Sequence, residues 1–381
     1  MKSNWQVRAI KDLHRTITPP AKILSSDYRE SGAYPIVSQD AKEIIGYWDN
    51  PADVIHVDNA VVCFGDHTKV VKYVNYDFVQ GADGLKILLP NKEIFSRYFY
   101  YGLLNTHFRD LGYARHYKLL KEQKIAYPES LSEQERIVKK LDAAFEKIDT
   151  IQHNAERNLA NVKELFQQVL DEEMTSKAGN KLVCIKDIAT VLVGYAFKSS
   201  GYSTNSHDIK LVCGDNIEPG SFRWNEKTKY WPHENATQFS RFLLKTNDVV
   251  LAMDRPWIKS GLKRALVMEE ILPALLLQRT ACLRTTNTDV AKYIYFILGS
   301  SFFINHVLKQ QTPGSVPHIS GTQIESFPLY IPEDKRLRSA VHRISSLYEM
   351  TNKAEEKYQE ILSYCAELKQ QILAKSFNGE L

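Results

Sequence analysis

Two long stretches of this chain run without proline or glycine, and each carries apolar or small side chains in steps of four and three. In residues 133 to 170 the positions are Ile137, Leu141, Ala144, Ile148, Ile151, Ala155, Val162, Leu165 and Val169, interrupted by Asn158. Such spacing is a heptad seam. Ser132 and Glu135 have the spacing of a capping box, and no proline or glycine follows until Gly179, so the pattern predicts a helix of about 43 residues, roughly 65 Å long. A globular interior cannot hold it. Pro332 opens a second run with the seam Leu337, Val341, Ile344, Tyr348, Thr351, Ala354, Tyr358, Ile361, Cys365, Leu368 and Ile372. Between Tyr348, Thr351 and Ala354 two steps of three follow one another, the mark of a three-residue insertion.

The insertion also appears when the two runs are aligned. Glu133, Arg136 and Ile137 match Glu333, Arg336 and Leu337 at an offset of 200, whereas Glu164-Leu-Phe-Gln-Gln-Val-Leu170 matches Glu367-Leu-Lys-Gln-Gln-Ile-Leu373 at 203. The segments before each run repeat as well. Ile10-Lys-Asp-Leu13 returns as Ile185-Lys-Asp-Ile188 and Ile36-Val-Ser-Gln-Asp40 as Leu211-Val-Cys-Gly-Asp215, both at 175. Val61-Val62 with Asp66 answers Val249-Val250 with Asp254 at 188, and Tyr98 to Tyr101 answers Tyr293 to Phe296 at 195. An offset that only grows along the chain describes two copies of one unit, each followed by a long helix. Short β-rich runs at Val54 to Phe64, Val70 to Val74, Val183 to Ile188 and Asp248 to Met253 predict α+β units with a few helices late in each. The expected architecture is α+β: two globular domains separated by a pair of long antiparallel coiled-coil helices, with an internal twofold pseudo-repeat.

A chain of 381 residues with 44% hydrophobic and 25% charged residues has the composition of a folded protein of two or three domains. The apolar stretches Ile271 to Leu277 and Ile294 to Ile304 fall short of the roughly 20 residues that cross a bilayer. Met1 to Arg8 has no apolar block behind its charge, so no secretory signal is expected and the expected location is the cytoplasm. Cys63, Cys184, Cys213, Cys282 and Cys365 are scattered and odd in number, which predicts isolated buried thiols and neither a disulfide framework nor a zinc site. Net charge is +4. Segments 1–130 and 179–330 hold the excess, with 17 basic against 15 acidic and 17 against 12, whereas 131–178 has 7 against 10 and 331–381 has 8 against 8. Polyanion binding, if any, belongs to the two globular segments.

Motifs for catalysis are lacking. The single Pro-Pro lies in Thr18-Pro-Pro-Ala21, and there is no Gly-x-Gly, so neither the amine-holding motif nor the cofactor turn of an amino-methyltransferase is present. Glu333-Asp-Lys335 and Asp208-Ile-Lys210 have the acid-x-Lys spacing of metal-dependent nucleases, but such triplets arise by chance in so charged a chain, and Glu333 suits a helix N-terminus electrostatically. No P-loop, Gly-x-Ser-x-Gly or His-Glu-x-x-His occurs. The chain is expected to bind no cofactor or metal and to catalyse nothing.

The arrangement resembles the specificity subunit of type I restriction-modification systems. Ile125-Ala-Tyr-Pro128 followed by Leu131-Ser-Glu-Gln-Glu-Arg-Ile-Val138 and the long helix carries the likeness, as does Gly194-Tyr-Ala-Phe197 ahead of Gly214-Asp-Asn-Ile217. Thr312-Pro-Gly-Ser-Val-Pro-His-Ile-Ser320 leading into Phe327-Pro-Leu-Tyr-Ile-Pro332 resembles the end of a recognition domain. The second copy departs at Ile-Pro-Glu-Asp-Lys-Arg-Leu337. The resemblance implies target recognition domains at 1–130 and 179–330, each reading half of a split double-stranded DNA sequence, with spacer helices at 131–178 and 331–381. It further implies two methyltransferase subunits that bind S-adenosylmethionine, restriction/translocase subunits that use ATP and magnesium, and no catalysis by this chain or contact with membrane. The alternative from another class is a non-catalytic coiled-coil scaffold without DNA readout.

Base reading needs forked donors and amides, while lysine and serine position phosphates. The candidates are Lys69, Lys72, Arg115, His116, Tyr117 and Lys118 in the first copy, and Arg255, Trp257, Lys259, Lys263, Ser315 and His318 in the second. Gly112-x-x-x-His116 and Gly314-x-x-x-His318 are read as equivalent, and core packing competes with DNA contact at Trp257.

Overall fold

The structure, a computed structural model, describes residues 4–82, 84–109, 112, 114–175, 180–310 and 317–381. It divides into two compact units, Met1–Arg157 with Tyr358–Leu381, and Asn158–Lys357. Ser315 and the segment from Thr312 to Val316 lie outside the described residues.

In the first unit the strands Trp5–Ala9 and Lys124–Pro128 pair antiparallel and bring the two ends of the globular segment together. Between them lies an antiparallel sheet in the order His14–Ile17, Leu85–Pro90, Val61–Gly65, Val71–Val74. A second sheet orders Gly46–Trp48, Tyr34–Val37 and Val79–Gln80, the last pair parallel. Alternation along the central strand explains the layering. Val62 and Phe64 face Tyr98, Phe99 and Tyr101 of helix Ser96–Leu104, while Val61 and Cys63 face Val37 and Phe78 beneath the smaller sheet. The expected run from Val54 becomes a strand only at Val61, since Pro51–Asp53 is a 3₁₀ turn capped by Asn50.

The second unit repeats this plan. Asn180–Cys184 pairs with Pro328–Pro332; the larger sheet runs Thr190–Val193, Thr280–Arg284, Val249–Ala252, Arg264–Leu266; and the smaller one runs Lys229–Trp231, Ile209–Val212, Ala274–Leu276, again with one parallel pair. Residues Ile185–Ile188 form a helical turn instead of continuing the strand, because Asp187 accepts the Cys184 N–H in a capping arrangement. Tyr98 and Tyr293, matched at offset 195, are both fully buried, and their hydroxyls donate to Ala126 O at 2.9 Å and Tyr330 O at 2.8 Å.

Strand register corrects one offset. Val62 pairs with Leu88, and Val249 pairs with Leu283, each pair facing the late helices of its own unit. Val62 therefore corresponds to Val249, an offset of 187 and not 188. The Asp66 N–H bonds Gly84 O and the Met253 N–H bonds Arg279 O; the His116 N–H reaches Asp66 O at 2.8 Å as the Ile319 N–H reaches Met253 O at 2.8 Å. His116 thus answers Ile319, and Arg115 answers His318. A slip of one residue exchanges the faces of a strand, and two adjacent valines hide it.

The long helices are Leu131–Thr175 and Asp334–Phe377. Within the first unit they run antiparallel, with Lys369 paired to Asp149 and Arg136 donating to Leu381 O at 2.9 Å. Within the second, Lys163 meets Glu355 at 3.3 Å, Glu173 meets Arg343, and Phe166 packs on Tyr348. The first helix starts two residues earlier than the capping-box spacing indicated, because Ser130 accepts the Glu133 N–H. The seam also drifts from a strict 3.5-residue repeat. Ile151, Leu165 and Leu368 are 50%, 53% and 45% exposed, whereas Phe166, Leu170 and Leu373 point inward. An α-helix of 3.6 residues per turn shifts its inward stripe by about 20° per heptad, so the strict pattern misplaces positions after two or three heptads. Thr351, at the inserted step, is buried in an unbroken helix.

Candidate nucleic-acid interface

Each unit ends its central strand in a turn that carries cations. In the first unit Lys69 takes a left-handed conformation, φ +61°, in the turn between Val61–Gly65 and Val71–Val74. The turn is fastened from the neighbouring sheet: Thr68 Oγ1 donates to Gln39 O at 2.6 Å, and Gln39 Oε1 accepts the His67 N–H at 3.2 Å. Asp66 Oδ1 accepts the Tyr117 N–H at 2.8 Å, which sets the start of helix Tyr117–Glu122 beside the turn. Nδ1 of His14 lies 2.7 Å from Ile10 O and so carries the proton; Nε2 then accepts from the Tyr117 hydroxyl at 2.9 Å. Burial lowers the His14 pKa, in keeping with this neutral form. The Tyr117 oxygen is 3.1 Å from Thr16 Oγ1, and Lys86 and Lys121 stand 5.7 and 5.4 Å from its ring. Arg115 and Lys118 are exposed on either side.

Three candidates are buried: Lys263 in the wall of the second unit's cavity, and two that are turned inward. Lys72 is buried, donating to Lys42 O at 2.6 Å and Glu43 O at 3.4 Å, and burial lowers its pKa. His116 is fully buried, with Nδ1 3.1 Å from Asp66 O, because its place in the repeat is that of the core residue Ile319. Neither presents a donor to an outside ligand.

In the second unit the corresponding surface is an open cavity of about 640 Å³, lined by Gly214, Asp215, Asp254, Arg255, Lys263, Gln278, Arg279 and His318 among others. Gly214 stands where the first unit has Gln39, so the fastening amide is missing and the cleft stays open. Arg255 is exposed at φ +45°, and its N–H donates to Pro317 O at 3.0 Å. Asp254 accepts from His318 Nδ1 and lies 3.2 Å from Arg279 Nη1. Trp257 and Lys259 sit on the small hairpin Trp257–Ile258 with Gly261–Leu262. Lys259 is exposed, whereas Trp257 packs against the core, its indole N–H buried without a partner among the described residues.

The motifs singled out in the sequence act as scaffolding for these turns. A Cβ on Gly194 would fall 1.9 Å from Leu277 O, so only glycine lets that segment run against the strand leading to Gln278. Asn216 accepts the Cys213 N–H at 3.2 Å and donates to Arg223 O at 3.2 Å, shaping the cavity wall. Gln134 is fully buried: its Oε1 accepts the Phe95 N–H at 2.8 Å, and its Nε2 donates to Glu93 O at 3.0 Å and Pro128 O at 2.9 Å. The second copy has Asp334 there. Gln278 and Arg279 escaped the sequence reading; their signal was a polar pair wedged between two buried apolar runs.

All five cysteines are free, but Cys184 and Cys213 are half-buried and not buried as expected, since one ends a strand and the other lines the cavity. Among the described residues no group of three or more His, Cys, Asp or Glu could hold a metal ion, and no helix is long and apolar enough to cross a membrane.

Residues 2–159 match the family described as Type I restriction modification DNA specificity domain. The chain is 36% identical to the Escherichia coli type I restriction enzyme EcoAI specificity subunit over 169 residues, 44% of this chain and 28% of that subunit's length. It is 22% identical to the MjaVIII specificity subunit of Methanocaldococcus jannaschii, covering 93% of this chain and 89% of that one. It is 24% identical to the Escherichia coli EcoR124I/EcoR124II specificity subunit, covering 87% and 84%. Among solved structures, a chain from a study of assembly and conformational transition of the type I R-M system superposes with a TM-score of 0.71 at 15% identity, covering 100% of this chain and 99% of that one. The HsdS subunit from Thermoanaerobacter tengcongensis superposes at 0.51 and 16% identity, covering 100% and 98%. Residues 2–159 thus carry the sequence of a DNA specificity domain, within a fold of two copies of one α+β unit and two long helices. The chain is similar to the specificity subunits of type I restriction-modification systems.

Proposed function

We propose that this chain reads a bipartite duplex DNA target, with segments 1–130 and 179–330 each recognising one half and the helices at 131–178 and 331–381 serving as spacer. As a specificity subunit it supplies recognition and no chemistry of its own. Two methyltransferase subunits and restriction/translocase subunits are its partners, and the cytoplasm is its location. The observation that carries this reading is the repetition of one unit whose central strand ends, in each copy, in a turn bearing a cation, half-buried Lys69 in the first and exposed Arg255 in the second. Lys69, Arg115, Tyr117 and Lys118 form the DNA-facing set of the first unit; Arg255, Lys259 and His318 form that of the second, with Lys263 buried in the cavity wall beneath them and Ser315 in the segment following Thr312. Lys72 and His116 serve the interior, and Trp257 anchors the hairpin that carries Lys259.

Binding to duplex DNA in the presence of the methyltransferase subunits tests the reading. With six or more phosphates neutralised, affinity falls about a thousandfold or more between 50 and 200 mM salt, because released counterions drive association. A flat salt response supports the scaffold alternative and overturns DNA reading. Methyl transfer by the purified chain alone would contradict its non-catalytic role.

A further inference from the structure

We infer that Gln278 and Arg279 read base edges in the major groove for the second unit, Arg279 on guanine and Gln278 on adenine. This rests on the reading of the chain as a DNA target-recognition protein. Both residues lie in the turn that joins Ala274–Leu276 of the smaller sheet to Thr280–Arg284 of the larger, and both line the open cavity. Their backbone is held from both sides: the Gln278 N–H donates to Tyr195 O at 2.8 Å, and Arg279 O accepts the Met253 N–H at 2.9 Å. The backbone at Arg279 takes φ +63°, which an arginine adopts only where its surroundings hold it.

The side chains, by contrast, are given to the outside. Arg279 is 72% exposed, yet Asp254 holds its guanidinium at 3.2 Å, and Asp254 is itself engaged by His318. An exposed fork steered by a carboxylate has a restricted orientation, which is what bidentate recognition of guanine O6 and N7 requires. Lys259 is an exposed compact charge without such a fork and suits phosphates, whereas Lys263 is buried in the cavity wall. The amide of Gln278, exposed one residue away, offers the donor and acceptor pair that matches adenine N6 and N7. The first unit has Gly84 at the position of Arg279 and so recognises its half-site by other residues.

Sequencing of methylated sites in cells carrying the complete system, with wild-type chain, Arg279→Ala, Arg279→Lys or Gln278→Ala, tests the inference. Both Arg279 variants relax one guanine position in one half-site, and Gln278→Ala relaxes one adenine position, each lowering discrimination there by about 5- to 150-fold. The other half-site stays specified, which also shows that the variant folds and assembles. An unchanged motif overturns the inference, as does full guanine preference in Arg279→Lys or equal loss of both half-sites. Absence of any bipartite motif with the wild-type chain overturns the underlying reading instead.

Discussion

At the scale of single residues, the most telling side chain is Gln134. Its amide satisfies three backbone groups at the junction between the globular segment and the first long helix, and no water reaches it. Gln134→Ala leaves those groups buried and unpaired, a loss of about 1–3 kcal/mol per group before relaxation. Denaturant unfolding is expected to show the first unit destabilised by several kcal/mol, and a change below about 0.5 kcal/mol, within the range of ordinary surface substitutions, would refute the assignment. Lys72 gives a second test. Burial sets its folded pKa below the ordinary value, so between those two values the unfolded chain binds more protons and stability rises with pH. Relative to Lys72→Met, the wild type should therefore gain stability as pH approaches the lysine value of about 10.4. Parallel stability curves for the two proteins would show that the ammonium is not desolvated.

At the scale of elements, the helices separate pattern from packing. Leu170 is fully buried, and Leu165, five residues earlier on the strict heptad, is 53% exposed. Leu170→Ala should cost about 2–5 kcal/mol, whereas Leu165→Ala should change stability by no more than about 0.5 kcal/mol. Comparable losses in thermal unfolding would restore the strict repeat. The sheets teach the same lesson at shorter range. Apolar runs around Val61 and Val249 announced the central strands and the repeat, but the match of valine to valine was one residue out of register. Only the pairing partners Leu88 and Leu283 fix which valine faces the helices. Hence His116, read as a candidate DNA contact, lies in the core, and Arg115 takes the place equivalent to His318.

For the whole molecule, the proposed spacer makes a geometric prediction. Four residues inserted in both long helices add about 6 Å to each, close to one turn, so the seam stays nearly in phase. At about 3.4 Å per base pair, the unread gap should widen by one or two pairs while both half-sites keep their bases. Methylation at the old spacing by the lengthened protein would show that the helices do not set the gap. The natural three-residue insertion at Thr351, accommodated in an unbroken helix, indicates that such changes are structurally tolerable.

What the sequence by itself determined was the periodic part of this protein: two copies of an α+β unit, two long helices, and cations gathered in the globular segments. Periodicity and repetition are local or self-referential, so they survive without knowledge of contacts. What only the tertiary structure decided was which side chains face outward. Lys72 and Arg115 are alike in charge and both were read as DNA contacts, yet one amine is enclosed by the carbonyls of Lys42 and Glu43 while the other side chain is exposed. Gln278 and Arg279 stand out only once two sheets meet around them, with Asp254 brought up from the turn that follows Val249–Ala252. Burial and orientation are set by partners far along the chain, and no local pattern encodes them.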